Sequence, residues 1–410
     1  MADSNPIEQQ VIKFSAGANN VAPEYGLPEN SVRDLLNLEP TQGGGVRSRK
    51  GLRVLETWDC HSLFSPSSGG YLVVHDGMLY YIAGGTATGL VAVAQNRKVR
   101  YAEYNGEIFW TNGAATGRLT RTYEATFWGL PLPPKPTVNT DIGNLLPGTY
   151  LVTHTAVVNG IESGAPDPIA IALDNQGGIL YSAPSASVNV SFNVYLTPPN
   201  GTIAELRRVA SVTASGTTII SEQPRGARLR SYLADKPPVG QWIIHYRGRL
   251  WIANNNYLWF TDSESLHWVF PEYGYLTFPN RITLLVPVAD GIFVGDRQQT
   301  WFLGGSSPSE MTVRQMVGVG AVPGTGTYRI PFDVFAGDGN PCAVWLDSEG
   351  VLCCGRTGGV VQRITQNSYR VGAVSSGEIV YRTTDGLRQF LVILDSVTPN
   401  EGAAEDVPVS

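Results

Sequence analysis

The side chains able to do chemistry are few and widely scattered. Asp296, Arg297, Gln298, Gln299, Thr300 and Trp301 approach the Asp-box turn of sialidases, which would place a carboxylate at a blade corner. Gln298 stands where that motif has Gly, Val294 where it has Ser, and no second copy occurs. His61, His75, His154, His245 and His267 never pair at metal-ligand spacing, and HExxH and CxxC are absent. No GxSxG elbow exists, and Gly43, Gly44 and Gly45 lack the GK[ST] ending that cradles a phosphate. No catalytic or metal-binding residue and no cofactor is therefore assigned, and the chain is expected not to be an enzyme. Arg47, Arg49, Lys50 and Arg53 are weak candidates for contact with nucleic-acid phosphates, against the plainer reading of a solvated strand or arm. Trp242, Trp251, Trp259, Phe260, Trp268 and Phe270 suggest a carbohydrate platform, but their alternation fits packing between β-sheets better.

The elements that position these residues are short hairpins. An apolar run, a turn ending in Gly and a second apolar run recur from Tyr71 to Ile82 around Asp76 and Gly77, and from Tyr101 to Thr111 around Asn105 and Gly106. The same unit returns from Trp242 to Ala253 around Arg247 and Gly248, and from Leu284 to Gly295 around Asp290 and Gly291. Further copies run from Val344 to Cys354 around Glu349 and Gly350, and from Ile379 to Ile393 around Asp385 and Gly386. Asn or Asp followed by Gly suits the positive φ angles of a tight hairpin. Turns spaced by roughly 30 to 60 residues approach the repeat of β-propeller blades. The predicted fold is all-β, a propeller-like disc of about six blades.

One interval, from Gly106 to Arg247, is too long for a blade. It opens on Pro131, Pro133, Pro134 and Pro136 and closes on Pro237 and Pro238, which mark a domain boundary. Strand-like runs at Gly148 to Val158, Pro168 to Leu173, Val188 to Tyr195, Leu206 to Val212 and Thr217 to Ser221 fill it, with a tight Asn159–Gly160 turn. That density predicts an inserted immunoglobulin- or fibronectin-like sandwich. The expected organisation is an arm over 1–50, a propeller-like domain over 51–134 and 237–398, the sandwich over 135–236 and a flexible tail over 399–410.

Gly (46) and Pro (27) are abundant in the 410 residues while charged residues make only 16%, the balance of short strands joined by turns. A net charge of −6 argues against gripping a nucleic-acid backbone over a wide surface. The sequence has neither a long apolar run nor a signal-peptide pattern at Met1, so synthesis in a cytoplasm with no membrane span is expected. Cys60, Cys342, Cys353 and Cys354 form no disulfide framework and are expected to be reduced.

Several stretches together resemble the tail hub, or nozzle, proteins of short-tailed bacteriophages, also called packaged-DNA stabilisation proteins. The first comprises Gly17, Asn19, Asn20 and Leu27, then Arg33, Asp34 and Asn37, then Arg47, Arg49 and Gly51. It departs from the family pattern at Lys50, where Pro is expected, and by the insertion Gly43 to Gly45. The second runs through Arg247, Gly248, Arg249, Leu250, Trp251, Ile252 and Ala253 to Leu258, Trp259, Phe260, Asp262 and Trp268. It continues from Asp290 to Gly295, through Thr300, Trp301 and Phe302, to Gly320, Ala321, Val322, Pro323, Gly324, Thr325 and Gly326. Gly160, Glu162 and Ser163 resemble the sandwich insertion such proteins carry. The resemblance implies a virion protein forming a ring, expected to be a hexamer, below the portal and its adaptor. Genomic double-stranded DNA would pass along its axis and tail fibres or spikes would attach outside. The competing expectation is a polysaccharide-binding or polysaccharide-degrading propeller of a tail spike. A head-closure or fibre-adaptor protein of the same virion is a third.

Overall fold

The computed structural model describes residues 16–41, 45–49, 57–186, 189–331, 339–384 and 387–395. The fold is all-β and built of propeller-like blades, which among the described residues are five four-stranded antiparallel sheets in simple sequential order. Blade 1 comprises Cys60–Phe64, Tyr71–His75, Met78–Ala83 and Thr86–Ala92, and blade 2 Arg100–Tyr104, Glu107–Thr111, Thr116–Leu119 and Ala125–Thr126. Blade 3 comprises Trp242–Tyr246, Arg249–Asn254, Tyr257–Phe260 and Tyr275–Thr277. Blade 4 comprises Leu284–Val288, Gly291–Gly295, Thr300–Gly304 and Thr312–Val317, and blade 5 Thr327–Ile330, Cys342–Leu346, Leu352–Gly355 and Val361–Arg363. Of the expected six blades the last is a two-stranded hairpin among the described residues, Ser376–Thr384 with Leu387–Asp395.

The chain divides into two compact units, Asp59–Pro279 and Met1–Trp58 with Asn280–Ser410. The residues expected to form one propeller-like domain thus fall in both. In the Asp59–Pro279 unit, Leu72, Val74 and Leu79 of blade 1 pack on Ile108, Trp110 and Leu119 of blade 2. Ala102 and Phe109 of blade 2 then pack on Ile243, Leu250 and Ile252 of blade 3. Thr111 Oγ1 donates to the Gly240 carbonyl (2.7 Å) and accepts its N–H (2.9 Å), so blades 2 and 3 are neighbours despite the chain that separates them. That intervening chain forms two further sheets. A three-stranded one holds Thr137–Leu145, Gly177–Ser182 and Thr217–Ile220; a five-stranded one holds Gly148–Val158, Ile161–Glu162, Ile169–Leu173, Ser191–Leu196 and Arg207–Thr213. Tyr150, Val152, Val194 and Leu196 of the second sheet meet Leu145, Ile179, Tyr181 and Ile220 of the first, giving a sandwich with one core.

In the other unit, Leu284, Val286, Phe293 and Phe302 of blade 4 pack on Ala343, Trp345 and Cys353 of blade 5. The opposite face of blade 5, through Val344 and Cys354, receives Tyr381 and Phe390 of the last hairpin. Residues 17–18 and 31–32 pair in parallel, and Leu38–Pro40 pairs with Val46–Ser48.

The tight-turn expectation holds for Asp76–Gly77, Asn105–Gly106, Asn159–Gly160 and Arg247–Gly248, where both residues have positive φ. At Leu284–Gly295 it needs correction. Val288 pairs with Gly291, so Ala289 and Asp290 make the turn. Gly291 has a different reason to lack a side chain, since a Cβ there would lie 2.4 Å from the Leu303 carbonyl oxygen and from the Phe302 ring. At Glu349–Gly350 the loop is wider, closing between Leu346 and Leu352. Asp385, Gly386 and the tail 399–410 lie outside the described residues.

Candidate functional site

The predicted phosphate contacts do not form one patch. Arg47 is 3.4 Å from the carboxylate of Glu39, which also takes Arg382 Nη2 at 3.3 Å. Glu39 is buried, so Arg47 joins the arm to the last hairpin through a bridging carboxylate. Arg49 is exposed, with its backbone N–H on the Asn37 carbonyl (2.8 Å). Lys50 and Arg53 lie outside the described residues. The asparagines of the same stretch are structural too. Asn19 Oδ1 accepts the N–H groups of Val21 and Ala22, while Asn20 donates to the Arg370 carbonyl (2.7 Å) and accepts the Arg370 N–H (2.9 Å).

The Asp-box candidate is a loop cap. Asp296 is 1% exposed, its Oδ1 accepts the N–H groups of Gln298 (2.6 Å) and Gln299 (2.7 Å), and its Oδ2 accepts Asn280 Nδ2 (2.9 Å). Every carboxylate oxygen is thereby engaged, which leaves none for substrate. The histidine of the sandwich is likewise consumed. His154 is fully buried, with Nδ1 2.6 Å from the Tyr181 hydroxyl and Nε2 2.7 Å from the Pro134 carbonyl. A carbonyl only accepts, so Nε2 carries the proton and the Tyr181 hydroxyl donates to Nδ1. Burial holds the imidazole down at about 4, the Pro134 bond opposing it. Cys342, Cys353 and Cys354 are buried and Cys60 exposed, all four as free thiols.

The aromatic residues separate into two roles. Trp251 is core, 1% exposed, and Trp242 lies under the Arg100 guanidinium at 4.6 Å. Trp259 meets the Tyr275 ring at 4.9 Å. Trp268 and Phe270 instead line an open cleft of about 500 Å³ in the Asp59–Pro279 unit. One wall is the chain leaving the sandwich, Arg228, Leu229 and Arg230; the other is the loop joining the last two strands of blade 3.

That loop is fixed at several points. The Asp262 N–H donates to the Trp268 carbonyl (2.9 Å), and Asp235 and Val269 exchange backbone bonds of 2.9 Å. Trp268 Nε1 donates to the Glu162 carbonyl of the sandwich (2.6 Å). Glu162 is anchored in turn, its Oε1 accepting the Tyr195 hydroxyl (2.8 Å), Asn193 Nδ2 (3.1 Å) and the Thr155 hydroxyl. The rings of Phe270 and Tyr273 stack with centroids 5.1 Å apart at 11°, and Tyr273 is 64% exposed. Burial and the carboxylates of Asp262 and Glu272 push the Tyr273 phenol up, so it stays a neutral hydroxyl. Arg230 pairs with Glu264 at the rim. Asp262 Oδ1 accepts the Glu264 N–H (2.7 Å). The sequence singles out Trp268 and Phe270 but not Tyr273, Arg228 or Asp262 in this role.

The chain matches no protein-family profile and no curated protein. Solved structures show a distant similarity to it. One is BBS1N, solved in complex with ARL6DN, with a TM-score of 0.33 at 8% identity over 81% of this chain and 88% of that one. Another is the extracellular domain of the one-component system BT4673 from B. thetaiotaomicron, with a TM-score of 0.33 at 11% identity. There the match covers 88% of this chain but 45% of that chain. At such scores neither likeness bears on function.

Proposed function

We propose that the chain is a structural virion protein, a subunit of the ring-shaped tail hub of a short-tailed bacteriophage. The carrying observation is a clasp in which Asn20 and Arg47, two of the residues that bear the resemblance, take part. Asn20 holds the Arg370 backbone in both directions, and Arg47 with Arg382 brackets Glu39, so two sequence-distant segments close the same unit. Side chains with catalytic potential, Asp296 and His154, are spent on loop and linker bonds, as a scaffold requires. The portal adaptor, fibres or spikes and further copies of the chain are the partners this reading supplies. A closed ring needs a heterologous interface whose rotation closes. Genomic DNA would slide past, since a net charge of −6 disfavours the counterion-release affinity of a basic wall.

The test is immunogold electron microscopy of intact particles with antibody to this chain. Gold at the tail just below the capsid vertex supports the ring reading. Unlabelled particles, with the antigen absent from purified virions by mass spectrometry, end it.

A further inference from the structure

We infer that the cleft between Arg228–Arg230 and the loop after Phe260 binds an acidic saccharide, a pyranose ring bearing a carboxylate. The inference does not rest on the tail reading. Three features of the cleft converge on that chemistry. Tyr273, backed by Phe270 at 11°, offers a flat exposed ring, and the C–H face of a pyranose packs on such a surface. Asp262 has one oxygen committed to the Glu264 N–H, which leaves the other to accept sugar hydroxyls. Arg230 is neutralised by Glu264, whereas Arg228 is exposed on the same wall and has no ion-pair partner among the described residues. A planar guanidinium without a partner beside an aromatic platform matches a carboxylate bidentately, which selects an acidic sugar over a neutral one. A volume of about 500 Å³ lies in the range of small-ligand sites.

The loop lengths support the same assignment. The connection between third and fourth strands spans residues 84–85 in blade 1, 120–124 in blade 2, 305–311 in blade 4 and 356–360 in blade 5. In blade 3 it spans 261–274. Joining two adjacent antiparallel strands needs only a few residues, so the excess in blade 3 is not required for folding. The excess carries Asp262, Glu264, Trp268, Phe270 and Tyr273, and its bonds to Asp235 and Glu162 order it before a ligand arrives.

The experiment is saturation-transfer NMR and titration of the full chain with trigalacturonic acid and with 3′-sialyllactose, lactose serving as the neutral control. At least one acidic probe is expected to bind, with lactose about tenfold weaker or silent. Arg228→Gln and Tyr273→Ala, both at exposed side chains, are each expected to weaken that binding about tenfold while thermal melting stays at the parent value. No binding by either acidic probe overturns the inference. So does binding that lactose matches, or that both substitutions leave unchanged.

Discussion

His154 is buried neutral, and that fixes how the sandwich responds to acid. In the unfolded chain its imidazole takes up a proton as pH falls through its ordinary 6.5, whereas in the folded chain it does so only near 4. Between those values the unfolded state binds the extra proton, so folding stability is complete above 6.5 and declines as pH falls. The full separation is worth about 3 kcal/mol at about 1.4 kcal/mol per pH unit, and the loss between pH 7 and pH 5 is about 2 kcal/mol. The cause is local: protonation would place a charge between the Tyr181 hydroxyl and Phe192, whose ring lies 4.8 Å away, and turn Nδ1 from acceptor to donor. NMR of the histidine Cε1–H resonances gives the folded titration directly, with His154→Gln supplying the assignment. Urea unfolding of the parent and of His154→Gln at pH 7 and pH 5 gives the energy. The parent is expected to lose about 2 kcal/mol more than the variant over that interval. A His154 midpoint near 6.5, or equal losses in the two proteins, would refute the reasoning.

Three further outcomes follow from single contacts. Asp296→Ala removes the acceptor of two backbone N–H groups and of Asn280 at a fully buried site, and is expected to cost about 2–3 kcal/mol in denaturant unfolding; a loss under about 0.5 kcal/mol, the scale of an ordinary surface change, would contradict the capping role. Glu39→Ala leaves Arg47 and Arg382 without their shared carboxylate, so the amides of Leu38, residue 39 and Val46–Ser48 should exchange about tenfold faster in hydrogen-exchange mass spectrometry. Unchanged protection there would mean that backbone pairing alone holds the arm. Gly291→Ala forces a Cβ to 2.4 Å from the Leu303 carbonyl oxygen and is expected to cost about 1–3 kcal/mol by thermal melting, and a neutral result would show that blade 4 can relax.

The class of the fold is written in the turns. A two-residue hairpin turn demands positive φ, which Asn or Asp followed by Gly tolerates, and such pairs at Asp76, Asn105 and Asn159 each close a hairpin in the expected register, whereas Asp290–Gly291 does not. What cannot be read is the phase. The tight turn joins strands one and two in blades 2 and 3 but strands two and three in blade 1, so the same local signal marks different corners of the repeat. Two sandwich strands also escape sequence reading. Thr137–Leu145 interleaves Asn, Thr, Asp and Gly, and Gly177–Ser182 opens on two glycines, so neither shows the apolar alternation by which strands are recognised. Leu145, Ile179 and Tyr181 still supply the core, because few inward positions suffice when the facing sheet is rich in large side chains. The cleft is half legible. Trp268 and Phe270 stand out by type, whereas Arg228 joins them only through the return path of the sandwich, which no local pattern encodes.

The Asp-box likeness of Asp296 has a physical explanation that does not need descent from an enzyme. Asn112 of blade 2 and Asp347 of blade 5 occupy the same place as Asp296, directly after the second strand. Asn112 Oδ1 accepts the N–H groups of Ala114 and Ala115, and Asp347 Oδ1 accepts those of Glu349 and Val351. All three side chains are buried, so each loop would otherwise bury backbone N–H groups without acceptors. Asp347 needs more, and Arg363 Nε at 2.8 Å balances its charge. A blade whose second-to-third turn is wider than two residues must find an acceptor for those amides, and a short Asn or Asp side chain at the first loop position is the nearest one available. The repeated Asn or Asp is therefore a cost of the turn geometry, and the chemistry a carboxylate there suggests in isolation is already used up by the backbone it holds.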